Sequence, residues 1–161
     1  ITMTGGGGVM AIDAAVESGL VLAELSPETT ERLTRISPWL ASNPLDLGPA
    51  AVVTDNFFSH YEEIVEAVST DRNVDCAAIV FSGVPRVLDT QMFARLKTKI
   101  SKPVAFWIYG PKLSLTEEFV RNLENQGFPA YLDCEPAIKA LGAAFKYSRI
   151  KSRFSPAEEE P

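Results

Sequence analysis

Apolar and polar positions follow two alternating periods along this chain, and each change of period marks a new element. Ile1–Thr4 opens as a strand. Val9–Ser18 has helical spacing, with Met10, Ala14 and Ala15 apolar and Asp13 and Glu17 polar, and Gly19 ends it. Leu20–Leu25 reads as a second strand. Ser26-Pro27-Glu28 then opens a helix: serine caps free N–H groups, proline suits the first helical position, and glutamate complements the dipole. That helix runs to Ile36, and Pro38 stops it.

Residues 37–55 form a Pro/Gly/Asn-rich connection around Asn43-Pro44-Leu45-Asp46-Leu47. Asp55 or Asn56 caps the next helix, which runs to Thr70 with Ile64, Val65 and Val68 on one face. Asp75–Phe81 is a continuous apolar strand, Leu88–Ile100 a helix, and Pro103–Tyr109 another apolar strand. Ser114-Leu115-Thr116-Glu117 has capping-box spacing, and Gly127 ends its helix. Pro129–Leu132 is a short fifth strand. Asp133 and Pro136 open a last helix that continues through Ala140, Ala143 and Ala144 to Arg149. Ser155–Pro161 is polar and acidic and reads as a disordered tail.

Strands that are solid apolar runs are buried on both faces, which calls for a parallel sheet between helices. The predicted fold is α/β: a flavodoxin-like three-layer α/β/α domain over residues 1–150, with five parallel strands in the order 2-1-3-4-5. Residues 151–161 are a tail or linker. In such a sheet ligands sit at the carboxyl ends of the strands, beside the point where strand order reverses. Three segments are expected to meet there: Gly5–Gly8, Ser82-Gly83-Val84-Pro85, and Tyr109-Gly110-Pro111-Lys112.

Composition narrows the possibilities. A chain of 161 residues, 46% hydrophobic and 22% charged, fits one globular domain. A net charge of -6 supplies no basic excess for nucleic acid, so none is expected as a partner. There is no apolar run of membrane-spanning length and no signal-peptide n-region. Cys76 and Cys134 make no disulfide framework and read as reduced, buried thiols. A cytoplasmic protein without a membrane partner is expected. The chain lacks an initiator Met and opens on a strand, so it is expected to be a piece of a longer polypeptide.

Gly5-Gly6-Gly7-Gly8 is the strongest chemical signal. Without Cβ atoms a ligand can approach the backbone closely. The helix that follows points unpaired N–H groups and the positive end of its dipole toward the run. Strand, glycine turn and helix N-terminus together make an anion site, most often for phosphate. Two other readings stand beside it. Gly6-x-Gly8-x-x-Ala11 with Glu24 has the form of a dinucleotide fingerprint, and a tight turn that binds nothing needs no ligand at all.

Other residues point less far. His60 is the single histidine and reads as a surface residue, because no partner base or acid can be named for it. Cys134 stands at a helix start, where a thiolate is favoured, yet a small half-buried side chain explains it as well. Asp46 reads as a local cap or turn acceptor. Trp39 and Trp107 read as core. Lys139, Lys146, Arg149, Lys151 and Arg153 make the last helix basic toward its end, which suits its dipole. No His/Cys group has metal-ligand spacing.

The order of motifs adds a resemblance. Thr4-Gly5-Gly6-Gly7-Gly8-Val9, Asp13, Glu17-Ser18-Gly19-Leu20, Leu22-Ala23-Glu24-Leu25-Ser26 and Asn43-Pro44-Leu45-Asp46 follow in turn. Tyr61, Asn73-Val74-Asp75, Lys102-Pro103-Val104, Gly127-Phe128-Pro129-Ala130-Tyr131 and Ala137 come after them. Over about residues 1–150 this resembles the NDP-forming acyl-CoA synthetases, the superfamily of succinyl-CoA synthetase and ADP-forming acetyl-CoA synthetase. It looks like their second flavodoxin-like CoA-ligase domain.

In that family acyl-CoA and phosphate drive NDP phosphorylation through a phosphohistidine carried by a neighbouring flavodoxin-like domain. The phosphate rests between two helix N-termini, one from each domain. The resemblance implies that Gly5, Gly6, Gly7, Gly8 and Val9 bind the phosphoryl group, with Asn43, Asp46, Ser82, Gly83, Tyr109 and Gly110 lining the site. It assigns no catalytic residue and no metal ligand to this chain. It implies no tightly bound cofactor here, and CoA, ATP/ADP and Mg in the full enzyme, an acid–thiol ligase. The implied partners are CoA-binding, phosphohistidine-bearing and ATP-grasp domains or subunits, and a homo-oligomer is compatible with it. Two alternatives remain: a non-catalytic scaffold or regulatory domain of a related acyltransferase, and a flavin or nicotinamide nucleotide-binding domain. The family pattern Asn-Ala-Gly-Gly-Pro-Gly is replaced by Met3-Thr4-Gly5-Gly6-Gly7-Gly8, without the proline, and His60 lies outside the phosphohistidine context.

Overall fold

The computed structural model describes residues 1–83 and 91–154. In chain order it forms α1 (Gly5–Glu17), α2 (Pro27–Ile36), α3 (Leu47–Val53), α4 (Tyr61–Thr70), β1 (Ala77–Ser82), α5 (Gln91–Lys99), β2 (Val104–Tyr109), α6 (Leu113–Asn125), β3 (Ala130–Tyr131) and α7 (Cys134–Phe154). Single 3-10 turns at Pro38–Leu40 and Phe57–His60 precede α3 and α4.

β1, β2 and β3 form a parallel sheet in that order, with Ala77 opposite Val104 and Phe106 opposite Ala130. Thr2 continues it at the β1 edge by isolated parallel bridges to Val80 on one side and Asp46 on the other. The Val80 N–H donates to Ile1 O at 2.8 Å, and the Thr2 N–H to Leu45 O at 2.8 Å. An α/β fold with a parallel sheet is thus present. The described residues contain three strands, where five were expected.

The difference lies in Ile1–Thr4 and Leu20–Leu25. The first contributes only the Thr2 bridges. The second is not a strand, although its composition favours one. Leu45–Leu47 occupies the place beside Thr2. The carbonyls of the would-be strand are taken by side chains instead: Asn43 Nδ2 donates to Ala23 O at 2.8 Å, and Asn73 Nδ2 to Glu24 O at 3.0 Å. Val21 is left 91% exposed. The helix expected from Asp55 or Asn56 begins later, because Asn56 is left-handed (φ 52°) and leads into a 3-10 turn first. The expected helix start at Leu88, the loop residues Val84 and Pro85, and the tail 155–161 lie outside the described residues.

Strand alternation sends successive side chains to opposite faces. Ile79, Phe81, Phe106 and Ile108 enter one core with residues of α4, α5 and α6. Val80, Ala105 and Trp107 enter a second core, where Ala137, Ile138 and Leu141 of α7 and Ala11, Ala14 and Ala15 of α1 pack. The first core is aromatic. Phe93 meets Phe106 edge-on at 5.4 Å between ring centres, and Phe106 meets Phe128 at 5.4 Å. Burying each such ring stabilises by about 1.5–3 kcal/mol. The second core is alanine-rich, and it brings α1 close against the sheet.

Candidate functional site: the N-terminus of α1

Thr4 is the residue on which α1 starts. Its backbone is extended (φ -150°, ψ 141°), and its Oγ1 accepts from the Gly7 N–H at 3.2 Å, an N-cap. The four glycines therefore form the first turn of α1, which begins four residues before the predicted Val9. They are not a loop ahead of the helix. None of them needs a positive φ.

Gly7 and Gly8 serve close packing instead. A Cβ on Gly7 would stand 3.0 Å from Thr4 Oγ1, 3.2 Å from Thr2 Oγ1 and 3.2 Å from Val80 Cγ1. A Cβ on Gly8 would stand 3.2 Å from Thr2 Cγ2. Both residues are buried. Their N–H groups are already bonded, Gly7 to Thr4 Oγ1 and Gly8 to Thr4 O at 3.1 Å. Gly5 and Gly6 differ. Both are exposed, a Cβ on Gly6 would meet nothing within 4 Å, and no acceptor among the described residues takes either N–H. The free donors are thus Gly5 and Gly6, rather than Gly7, Gly8 and Val9.

Other elements converge on this turn. Thr4 Oγ1 lies 2.9 Å from the Tyr109 hydroxyl at the carboxyl end of β2. Thr2 Oγ1 donates to Thr4 O at 2.7 Å and accepts from the Thr4 N–H at 3.1 Å, which fixes the entry to the helix. Asp46 caps α3, its Oδ1 accepting from the Gly48 N–H at 3.0 Å. Its Oδ2 stands 3.3 Å from where a Gly5 Cβ would be. A carboxylate thus flanks the turn on the Gly5 side and leaves the Gly6 side open.

Ser82 and Tyr109 are paired in register at the ends of β1 and β2. Gly110 then passes so close to Gly83 that a Cβ on Gly110 would lie 3.0 Å from Gly83 Cα. Gly83 itself has a φ of +93°, which glycine adopts without strain. The strand ends therefore gather Thr4, Gly5–Gly8, Asp46 and Tyr109, with Ser82, Gly83 and Gly110 beside them.

Asn43 does not join them. It precedes Asp46 on a segment parallel to Thr2, so it lies toward the amino ends of the strands, and its amide is bonded to Ala23 O. His60 pairs with Glu63, Nδ1 to Oε2 at 3.8 Å. Cys134 begins α7 but is buried, and burial followed by Glu135 pushes its thiol up, away from a thiolate. Glu24 is exposed, and its carbonyl is held by Asn73. Trp39 is exposed rather than core. The described residues contain no His/Cys/Asp/Glu group able to hold a metal ion and no helix long and apolar enough to cross a membrane. The Thr4–Tyr109 contact carries no sequence signal, because it joins residues 105 apart. Thr4 as a cap was legible, since threonine before a helix is a start signal; the glycines after it hid the helix.

No family model matches the chain. Among curated proteins it is 31% identical over 153 residues to ADP-forming acetate–CoA ligase II of Archaeoglobus fulgidus, covering 92% of this chain and 22% of that protein. It is 31% identical over 160 residues to the alpha subunit of ADP-forming acetate–CoA ligase I of Pyrococcus furiosus, covering 95% of this chain and 33% of the subunit. Among solved structures, a protein of Pyrococcus horikoshii OT3 matches with a TM-score of 0.73 at 24% identity, over 92% of this chain and 34% of that one. A dinucleotide forming acetyl-coenzyme A synthetase 1 of Ca. Korarchaeum cryptofilum matches with a TM-score of 0.70 at 24% identity, over 94% of this chain and 33% of that one. At that identity the structural matches speak for the fold. The chain spans 22% and 33% of the two curated relatives named. By sequence it is homologous to one segment of the ADP-forming acetate–CoA ligases.

Proposed function

We propose that this chain is the second flavodoxin-like CoA-ligase domain of a larger NDP-forming acyl-CoA synthetase. In this reading the N-terminus of α1 receives the phosphoryl group of a phosphohistidine on a neighbouring domain, or of an acyl phosphate. The observation that carries it is the pair of exposed, unbonded N–H groups on Gly5 and Gly6 at the positive end of a 13-residue helix. Such an end is equivalent to about half a positive charge and favours an anion.

The supporting geometry is preorganised. Thr4, fixed by Thr2 and Tyr109, holds the first turn before any anion arrives, so little reorganisation is needed when charge develops there. Asp46 repels an anion on the Gly5 side and directs it over Gly6. Val9 and Met10 on α1 and Leu113 and Leu115 at the start of α6 are exposed apolar residues near these strand ends. They fit a face covered by a neighbouring domain, which would bring the histidine. CoA, ADP or ATP and Mg²⁺ would be held by the other domains and supply the acyl carrier and the phosphoryl acceptor. The korarchaeal synthetase was also solved in complex with phosphate and ADP. The first turn of α1 is helix, not the open glycine loop of a dinucleotide site.

The test is Gly6→Asp in the complete enzyme. Open space at Gly6 lets the fold survive, while the new carboxylate occupies the anion's place. Phosphohistidine formation from labelled phosphate and acyl-CoA, with CoA and the free acid released, is expected to fall about 10²–10³-fold, the loss typical of a missing oxyanion donor. An unchanged rate would leave the domain a scaffold.

A further inference from the structure

A cleft of about 510 Å³ opens between α1, α7 and the extended segment 19–23, and neither Gly5 nor Gly6 lines it. Its walls are apolar. Ala78 and Val80 form the floor, Ala15 of α1 one side, and Ile138 and Leu141 of α7 the other. Its frame is fixed. A Cβ on Gly142 of α7 would lie 3.1 Å from Ser18 Cβ, and the Asn43 and Asn73 amides pin the roof through the Ala23 and Glu24 carbonyls. Concave, mainly apolar spaces of this size with a few polar groups at the mouth are the usual form of a small-molecule site.

The polar groups of the lining decide which molecule fits. Asn43 and Asn73 both line the cleft, and each uses Nδ2 as the donor to a roof carbonyl. Each therefore keeps Oδ1 as an acceptor that no described residue occupies. Asp75, two residues beyond Asn73, is exposed and has no ion-pair or hydrogen-bond partner among the described residues. The other titratable groups of the lining are engaged or uncharged. Arg149 stands over the Phe145 ring, 5.7 Å from its centre, and already has a partner. The Ile1 amino group donates to Ala78 O at 2.8 Å, and burial holds its pKa down to about 6, so it is mainly neutral at pH 7.5. Burial, and then the Asp75 carboxylate beside it, pushes the Cys76 thiol up, so it carries no charge either. The unpaired charge of the lining is thus one carboxylate, accompanied by two amide oxygens that hang from successive residues of the roof.

We infer that this cleft binds a primary alkylamine, its unbranched chain between α1 and α7 and its ammonium at the lip formed by Asn43, Asn73 and Asp75. An ammonium has three donors and no acceptor, which matches a lip of three acceptor groups, one of them charged. A carboxylate head would meet like charge there. The chain matches the alanine, valine, leucine and isoleucine walls, and its burial supplies most of the affinity. The site is separate from the head of α1 and independent of the phosphate reading.

The test is methyl NMR of the complete protein labelled at alanine, at pH 7.5. Ala15 and Ala78 line the cleft, and Ala67 in the α4 core does not. Octylamine is expected to shift the Ala15 and Ala78 methyls and leave Ala67 in place. Octanol, with the same chain and no charge, is expected to bind more weakly at the same methyls, and octanoate to bind more weakly still. Butylamine, whose stem is as short as that of a lysine side chain, is expected to need at least about tenfold more ligand, because four methylenes are missing. Asp75→Asn, at an exposed position, is expected to weaken octylamine about three- to fivefold, the loss of one ion pair open to solvent. Octanol affinity is expected to be the same in that variant, which shows the cleft intact. The inference is overturned if octylamine leaves Ala15 and Ala78 unmoved, if octanol, octanoate or butylamine binds as tightly, or if Asp75→Asn leaves octylamine affinity unchanged.

Discussion

Alanine at Gly6 and alanine at Gly7 should change stability in opposite directions, although the two sites are adjacent in one helix. Each substitution adds a single methyl group to a residue that is already helical. At Gly6 the methyl meets nothing within 4 Å. Its net effect is the lower backbone entropy of alanine in the unfolded chain, a stabilisation of about 0.5–1 kcal/mol. At Gly7 the same methyl stands 3.0 Å from Thr4 Oγ1 and 3.2 Å from both Thr2 Oγ1 and Val80 Cγ1. None of these can swing away cheaply. Thr4 Oγ1 is held by the Gly7 N–H and Tyr109, and Thr2 Oγ1 by the Thr4 backbone. Overpacking there costs about 1–3 kcal/mol, less the same propensity gain. The propensity gain is common to both, so the two variants should differ by the overpacking cost alone, about 1–3 kcal/mol, or roughly 2–12 °C in Tm for a chain of this size. Urea and thermal unfolding followed by circular dichroism measure both. Stabilisation by Gly7→Ala would refute the close approach of α1 to the sheet, and destabilisation by Gly6→Ala beyond about 1 kcal/mol would refute the open space in front of it.

Asp71 gives a pH-dependent prediction. Burial pushes its carboxyl up, but hydrogen bonds from Thr29 and from the Asn73 and Ser26 N–H groups outweigh that and hold it below the usual range. Its stabilisation is therefore complete above the unfolded value near pH 4 and is lost as pH falls through the lower folded value. Asp71→Asn should cost about 1.5–3 kcal/mol at pH 7 and progressively less below pH 4 in urea unfolding; a difference that ignores pH would contradict this. Tyr61 has a fully buried hydroxyl with no partner among the described residues, and burial drives its pKa far up. Tyr61→Phe should leave stability unchanged or raise it by about 1–2 kcal/mol, and a loss of more than about 1 kcal/mol would mean the hydroxyl is bonded.

Local chemistry made much of the fold legible. Ser26-Pro27-Glu28 marked the start of α2 correctly, and the apolar runs before Phe81 and Tyr109 became β1 and β2. What failed depended on distant residues. The glycines have poor helix propensity, yet Thr4 caps them and Thr2 and Val80 leave room for nothing larger at Gly7. Leu20–Leu25 has strand composition, but Leu45–Leu47 holds the place beside Thr2. The Ser114–Glu117 capping box is unused, because α6 starts at Leu113 with no side-chain cap. For the site, the rule that α/β ligands sit at strand carboxyl ends drew attention to Tyr109, which contacts Thr4 ahead of α1, and to Gly83 and Gly110, which meet each other at those ends. It could not see that Asn43 turns to Ala23, nor that Thr4 would take the Gly7 N–H.

The contact between Thr4 and Tyr109 gives the molecule a built-in optical gauge. The Tyr109 ring lies 4.7 Å from Trp107, whose indole N–H is bonded to Leu132 O inside the alanine-lined layer. The other indole, Trp39, is 59% exposed and open to aqueous quenchers. With Trp39 quenched by iodide, the remaining blue-shifted emission belongs to Trp107, so charge or movement at the head of α1 would register as a change of colour two rings away.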